Sequence, residues 1–378
     1  MFFRSRRRKM YGRPSELPAS FNVIGDISHP KQVSAVLEID CSRGEGGGQA
    51  VRTSVAMAAI TGTDTHLTRI RENRPTNGLS KQHCTAVEGV SRLTGCQIIG
   101  NQLGSSELTV FPKDEKEYDI TMDVGTAGSI ALVLQAMMLS LRNHDKPVRI
   151  DLTGGTNVMW SPPLDSYKQI LFPLMKEIGI ECDLEIVQRG LYPEGCGRAV
   201  FTSKPYRTIR PLNITDLGKL KCIRGICFAQ NLPEWIMDQL IEGCTEILTD
   251  VPLEITKESN SEGVSKGAGI SLVAEYENGR LGANVLTSRN HPAKQAGIDV
   301  AHDLQKIMES GSTMDVHTAD QLLPYLAMAE GNSSFSVSRI SRHLLSQMDT
   351  LETFLDVKFG VERKDNIYHF TVTPGGES

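Results

Sequence analysis

The chain returns repeatedly to one device: a strand-like run, a glycine-rich turn, then an apolar helix. Ala35 to Cys41 alternates apolar and polar residues, as a half-buried strand does. Gly44-Glu45-Gly46-Gly47-Gly48 follows, and the spacing of Val51, Val55 and Ala58 predicts a helix from Gln49 to about Ile60. Further on, Leu108 to Phe111 and Tyr118 to Met122 read as strands, and Gly125-Thr126-Ala127-Gly128 opens an apolar helix to about Leu141. Val148 to Leu152 then leads to Gly154-Gly155 and a helix over about Asp165 to Ile178, with strands at Leu184 to Arg189 and Arg198 to Phe201. Strands alternating with glycine-opened helices predict repeated α/β units and argue against all-β and all-α folds.

The texture changes between about Leu212 and Asp303. A strand at Leu220 to Phe228, a helix at Pro233 to Leu248, strands at Glu254 to Glu258 and Gly269 to Tyr276, the turn signal Asn278-Gly279 and a helix from near His291 read as an inserted α/β domain. The first style then resumes with a helix over Ala319 to Ala329, a strand over Ser334 to Ile340, a helix over Arg342 to Leu355 and strands at Val357 to Val361 and Ile367 to Val372. The expected division is a flexible extension at 1–33, rich in Arg, Pro and Ser, a discontinuous domain at 34–211 and 304–378, and the insert at 212–303. At 378 residues with 39% apolar content, the chain is long enough to bury cores in two such units.

Several function classes recede. No run of 18 apolar residues exists to span a membrane. The eight cysteines form no CxxC pair and no zinc-spaced cluster, so they read as reduced, mostly buried thiols of a cytoplasmic protein. A formal net charge of −5 counts against a protein that coats polyanions, but leaves room for a local basic pocket.

Gly44 to Gly48, lying between a strand and a helix, presents backbone N–H groups suited to an anion. It matches neither GxxxxGK[ST] nor GxGxxG, so a structural turn is an equal reading. Arg71 and Arg74 lie three apart in a segment stiffened by Pro75, and with Arg52 in the first turn of the preceding helix they make a candidate phosphate clamp. Taken singly, each is better explained as a solvated surface arginine. His343 sits in the first turn of a helix whose N-cap is Ser341. A helix N-terminus disfavours imidazolium, and a neutral imidazole there is a competent nucleophile. An exposed or capping histidine is the competing reading, and His317, beside Asp320 and Gln321, is the rival candidate.

Taken together, these segments resemble the RNA 3'-terminal phosphate cyclase family. The matching pieces are GEGGGQAVRTS at 44–54, RIRENRPTNGLSKQH at 69–83, GTAGSIALVLQ at 125–135, GGTNVMWSPPLD at 154–165, YPEGCGR at 192–198, HTADQLLPYLAMA at 317–329 and SRHLLSQMDTLETFL at 341–355. They run in the family's order over about residues 35–373. The resemblance implies a large domain of three βαβαββ units, similar to those of enolpyruvyl transferases, with a smaller α/β insert. It implies His343 as the nucleophile toward ATP, and Gln135, Pro162, His317, Asp320 and Gln321 around the nucleotide. Glu45 matches a carboxylate that helps hold Mg²⁺ or Mn²⁺, and Arg52, Arg71, Arg74 and Gln82 match positions lining the phosphate and RNA end. The chain departs at His317, where the family often has a stacking tyrosine, and at Cys196, where it usually has glycine.

The implied activity closes an RNA 3'-terminal phosphate into a 2',3'-cyclic phosphodiester, through a histidine-AMP adduct and an RNA-pp-A end. The implied partner is RNA with a 3'-phosphate end, and a homodimer is compatible with the resemblance. Two other classes compete. One is a non-catalytic cyclase-like RNA-binding factor in ribosome biogenesis, which lacks the nucleophilic histidine that stands here at His343. The other is a small-molecule transferase of the enolpyruvyl type, which the shared repeat alone would support.

Overall fold

A computed structural model of the chain describes residues 35–375, so the extension expected at 1–33 lies outside the described residues. The first unit runs β1 (Leu37–Asp40), α1 (Gly48–Thr61), β2 (Thr65–Thr68), α2 (Lys81–Thr94), β3 (Gln97–Ile99) and β4 (Leu108–Phe111). Its sheet has the order β1-β2-β4-β3, with β1 parallel to β2 and the other pairs antiparallel. The second unit repeats the plan. It comprises β5 (Asp119–Asp123), α3 (Ile130–Leu139), β6 (Val148–Gly154), a helical run, β7 (Cys182–Gln188) and β8 (Gly197–Ser203), in the sheet order β5-β6-β8-β7. The helical run is α4 (Leu164–Ser166), a π-helical turn at Tyr167–Leu171, and α5 (Phe172–Glu177).

The next elements carry a separate sheet. They are β9 (Leu220–Gln230), α6 (Trp235–Ile247), β10 (Leu253–Asn260), β11 (Gly267–Tyr276), β12 (Arg280–Leu286) and α7 (Ala293–Glu309), with strand order β10-β9-β11-β12. The third unit completes with α8 (Val316–Leu326), β13 (Ser333–Val337), α9 (Arg342–Phe354), β14 (Val357–Lys364) and β15 (Ile367–Pro374), in the order β13-β15-β14. Its missing first strand is a single parallel bridge, Asn213 to Ser334, on the near side of the intervening sheet. The chain therefore folds as three βαβαββ units, and the third is interrupted after its first strand. The helices and sheets of the three units share one apolar core, while β9–β12, α6 and α7 enclose a second.

Helix α2 is absent from the expectations, and its signal is modest. Its buried face includes Ala86, Val87, Val90 and Leu93, and Ser80 and His83 close a capping box at its start. A histidine in the third helical position is an unusual partner for that box, which hid the boundary. Helix α3 is buried almost all round and starts at Ser129, whose Oγ accepts from Leu132 N at 3.2 Å. Among the described residues no helix is long and apolar enough to cross a membrane. All eight cysteines are free; five are buried and Cys196 is exposed.

Candidate active site

The glycine loop that leads into α1 is held by α9. Glu45 N donates to Ser346 Oγ at 2.9 Å, and a Cβ at Gly44, whose φ is +65°, would collide with that side chain. Gly46 N turns back to Arg43 O at 3.1 Å, so part of the expected backbone cradle is consumed inside the loop. Gly47 caps α1 with no side-chain hydrogen bond, which leaves the helix's first N–H groups open. Thr53 Oγ1 donates to Gln347 Oε1 at 2.9 Å and locks α1 against α9.

This packing carries His343 to Glu45. Ser341 caps α9, accepting from Leu344 N at 2.9 Å, as expected. His343 Nδ1 lies 2.7 Å from Glu45 Oε2 and 2.9 Å from Gln49 Oε1, while half the side chain remains exposed. With Nδ1 engaged by two acceptors, Nε2 is the nitrogen left to react. The helix N-terminus, expected to disfavour imidazolium, does not set the direction of the shift here. The hydrogen bond to Glu45 raises the His343 pKa, burial opposes it, and the charges of Glu45 and Asp320 raise it further. Two nearby carboxylates outweigh a helix terminus. Burial acts against the Glu45 charge, yet the hydrogen bond and charge of His343, with Arg74, hold its pKa below the usual range.

Asp320 is buried and pushed up to about 7 by that burial, against the hydrogen bond from Ser341 and the charge of His343. Ser341 Oγ lies 2.9 and 3.1 Å from its two oxygens. Gln321 donates to His317 O at 3.1 Å, but its buried Oε1 has no partner. His317 itself is exposed at the start of α8.

The arginines behave differently from one another. Arg74 pairs with Glu45. Arg71 donates to Gly78 O at 2.8 Å, and burial, then the charge of Arg74, lowers its pKa. Helix α1 begins at Gly48, so Arg52 opens its second turn rather than lying in the first. Arg52 is 7% exposed, its Nε is buried without a partner, and burial lowers its pKa to about 10. Glu45 lies close enough to favour that charge without forming an ion pair. A buried guanidinium with no counter-ion is costly unless an anion arrives to pair with it.

His83, which sequence reading left without a role, backs the same spot. Its Nδ1 accepts from Ser80 N at 3.1 Å, and a Cβ at Gly48 would collide with Nε2. Burial, then Arg52 and Arg71, drives its pKa down to about 3, so it is a neutral donor through Nε2. Gln49 was missed as well, because a glutamine at a helix start carries no chemical signature of its own. The remaining candidates sit farther along the surface. Gln82 Oε1 accepts from Ser129 N at 2.7 Å, and Ser129 Oγ bonds Ser161 Oγ beside Pro162. Gln135 lies half-buried on α3 and makes no hydrogen bond to the other candidates among the described residues. Cys196, at the position where the resemblance expects glycine, has φ +53°, a left-handed conformation that glycine adopts most readily.

An Arg189 hub ties the two cores together. Its Nη1 and Nη2 donate to Asp165 Oδ2 and Oδ1 at 2.8 and 2.9 Å, Nη1 donates to Asn157 Oδ1 at 3.0 Å, and Nη2 reaches Glu258 of β10 at 2.6 Å. Asn157 and Asp165 bracket the segment that contains Pro162.

As to a metal, no group of three or more His, Cys, Asp or Glu side chains among the described residues is spaced to hold one. Glu45 offers one hard carboxylate beside His343. Mg²⁺ commonly accepts one carboxylate with phosphate oxygens and water completing its shell, so the donor set fits a metal that arrives with a phosphorylated ligand.

An oriented imidazole edge near an unpaired buried cation is a pairing that suits phosphate chemistry, carried on an α/β scaffold of three repeated units. Comparison with known proteins makes that class specific. A family model described as RNA 3'-terminal phosphate cyclase matches residues 43–361. RNA 3'-terminal phosphate cyclases of Methanosarcina barkeri and Methanopyrus kandleri are 37% and 35% identical, covering 89% and 88% of this chain and 100% and 96% of the relatives. That of Nitrosospira multiformis is 36% identical over 89% of the chain and 96% of its own length. The chain belongs to the RNA 3'-terminal phosphate cyclase family, an ATP-using enzyme family of the ligase class.

Proposed function

We propose that this protein converts an RNA 3'-terminal phosphate to a 2',3'-cyclic phosphodiester at the expense of ATP. The carrying observation is the contact of His343 Nδ1 with Glu45, 2.7 Å away, which leaves Nε2 unengaged on a ring close enough to Arg52 to feel its charge. In the first step, Nε2 of neutral His343 attacks the α-phosphorus of ATP, forming an N–P bond and expelling pyrophosphate. Glu45 and Gln49 hold Nδ1–H and so fix the ring and its tautomer. An oxygen of the RNA 3'-phosphate then attacks the same phosphorus, breaks the N–P bond and returns the lone pair to His343. Lastly the neighbouring 2'-hydroxyl attacks the activated RNA phosphorus, expels AMP and gives up its proton. That closure is intramolecular, so positioning supplies much of its rate.

Arg52, whose charge no protein carboxylate pairs, takes the charge of the phosphates, with Arg71, Arg74 and Gln82 lining the RNA end. The unpartnered Oε1 of Gln321 suits an adenine amine, with Gln135, Pro162, His317 and Asp320 around the nucleotide. A bound Mg²⁺ or Mn²⁺ would be held by Glu45 and would supply further neutralisation of phosphate charge. Residues 34–211 with 304–378 act as the catalytic domain and 212–303 as the insert. The test is ATP-dependent conversion of an RNA 3'-phosphate to a phosphatase-resistant end. Conversion is expected with RNA and not with a 3'-phosphorylated DNA, which has no 2'-hydroxyl. Absence of conversion with RNA refutes the reading.

A further inference from the structure

Trp160 is the most exposed large apolar residue of the described chain, at 94%, and Met159 beside it is exposed too. Its φ is +66°, a left-handed conformation that a bulky side chain rarely adopts. Single exposed apolar residues are ordinary on protein surfaces. A tryptophan held outward in strained backbone is not, and strain of this kind concentrates at ligand clamps.

The position of the ring narrows its partner. Ser161, its neighbour, bonds Ser129 Oγ, and Ser129 N donates to Gln82 Oε1 at 2.7 Å, so Trp160 is two hydrogen bonds from a residue assigned to the RNA end. A second aromatic, Tyr192, is 76% exposed on the adjoining turn. That turn packs on the loop before α3, where a Cβ at Gly195 would meet Ala127 Cα at 2.8 Å. Rings this open cannot enclose a small nucleotide, since small-molecule sites bury most of their ligand. They suit a strand that runs out to solvent, whose unpaired bases each offer a face for stacking.

We propose that Trp160, with Tyr192 on the next turn, forms a stacking ledge for the unpaired bases just upstream of the RNA 3'-phosphate. This rests on the cyclase reading and adds a subsite to it. The ledge selects single-stranded 3' ends over paired ones and is indifferent to base identity.

The decisive variants are Trp160→Ala and Trp160→Phe, assayed with a single-stranded RNA oligonucleotide bearing a 3'-phosphate. Trp160→Ala is expected to raise KM for the oligonucleotide about tenfold, within the roughly five- to 150-fold that stacking on one base supports. Trp160→Phe should recover most of that loss, and the rise should fall on RNA and not on ATP. A second readout needs no turnover. In full-length Trp235→Phe, which leaves Trp160 as the only tryptophan, adding the oligonucleotide should quench the emission. An unchanged KM for RNA in Trp160→Ala, a rise confined to ATP, or emission indifferent to RNA overturns the ledge. Failure of the wild type to form an AMP adduct instead overturns the cyclase reading, while quenching still decides whether RNA meets Trp160.

Discussion

Arg52 and Arg189 are equally hidden from water, at 7% and 6% exposure, and their surroundings differ in every other respect. Arg189 meets Asp165, Asn157 and Glu258 with five hydrogen bonds and lies 4.3 Å from the Phe228 ring. Burial would weaken its charge, but Asp165 and then Glu258 more than restore it, and its pKa is raised. Arg52 has no such partners, and burial brings its pKa down to about 10. A satisfied buried arginine holds structure in place. An unsatisfied one stores a demand for an anion, and its cost to the empty fold is the measure of what a phosphate gains on binding. The difference separates the seam between the two cores from the candidate site where α1 meets α9.

The comparison breaks most visibly through stability. Arg189→Ala leaves Asp165, 1% exposed, as an uncompensated buried charge and should cost about 3–5 kcal/mol in urea unfolding. Arg52→Ala should leave unfolding stability unchanged or raised, because an unpaired charge is removed. It should lower the adenylylation rate about 10²–10³-fold, the usual loss for one donor to developing phosphate charge. Equal destabilisation by both variants would remove the distinction.

A smaller effect sharpens it. Inorganic pyrophosphate at about a hundred times its Kd should stabilise the wild type by about 2.7 kcal/mol and Arg52→Ala by far less. Equal stabilisation of both would place the anion elsewhere.

The smallest effect is on pH. Attack requires neutral His343, whose pKa is raised chiefly by Glu45, so adenylylation should increase as pH rises through that pKa. Glu45→Gln removes the charge, and the rise should move to lower pH, measured as label incorporated per minute. The sign for stability is opposite. The His343–Glu45 contact stabilises the fold fully below the ordinary histidine pKa of about 6.5, and the gain is lost as pH climbs through the raised value.

Much of the scaffold was legible because its signals are local. Glycine and serine at the helix starts, and apolar periodicity within the helices, mark α1, α3 and α9. The clustering of Gly44 to Gly48 with His343 was legible only through resemblance, since 294 residues separate Gln49 from the ring it contacts. Helix α2 escaped because its capping box uses His83, and His83 escaped as a neutral donor because nothing local announces two arginines nearby. The direction of the His343 shift escaped for a related reason. A helix terminus can be read from sequence, but Glu45 and Asp320 reach the ring only through tertiary packing. Arg189 gave no signal whatever: its partners come from two segments remote from it in the chain.

The claim on which the rest stands is that His343 Nε2 forms a bond to the nucleotide. Incubating the full chain with ATP labelled at the α-phosphate, in the absence of RNA, should yield a protein-bound AMP that acid releases and alkali spares. His343→Ala should show none. Label retained by that variant, or its absence from the wild type, would contradict the account.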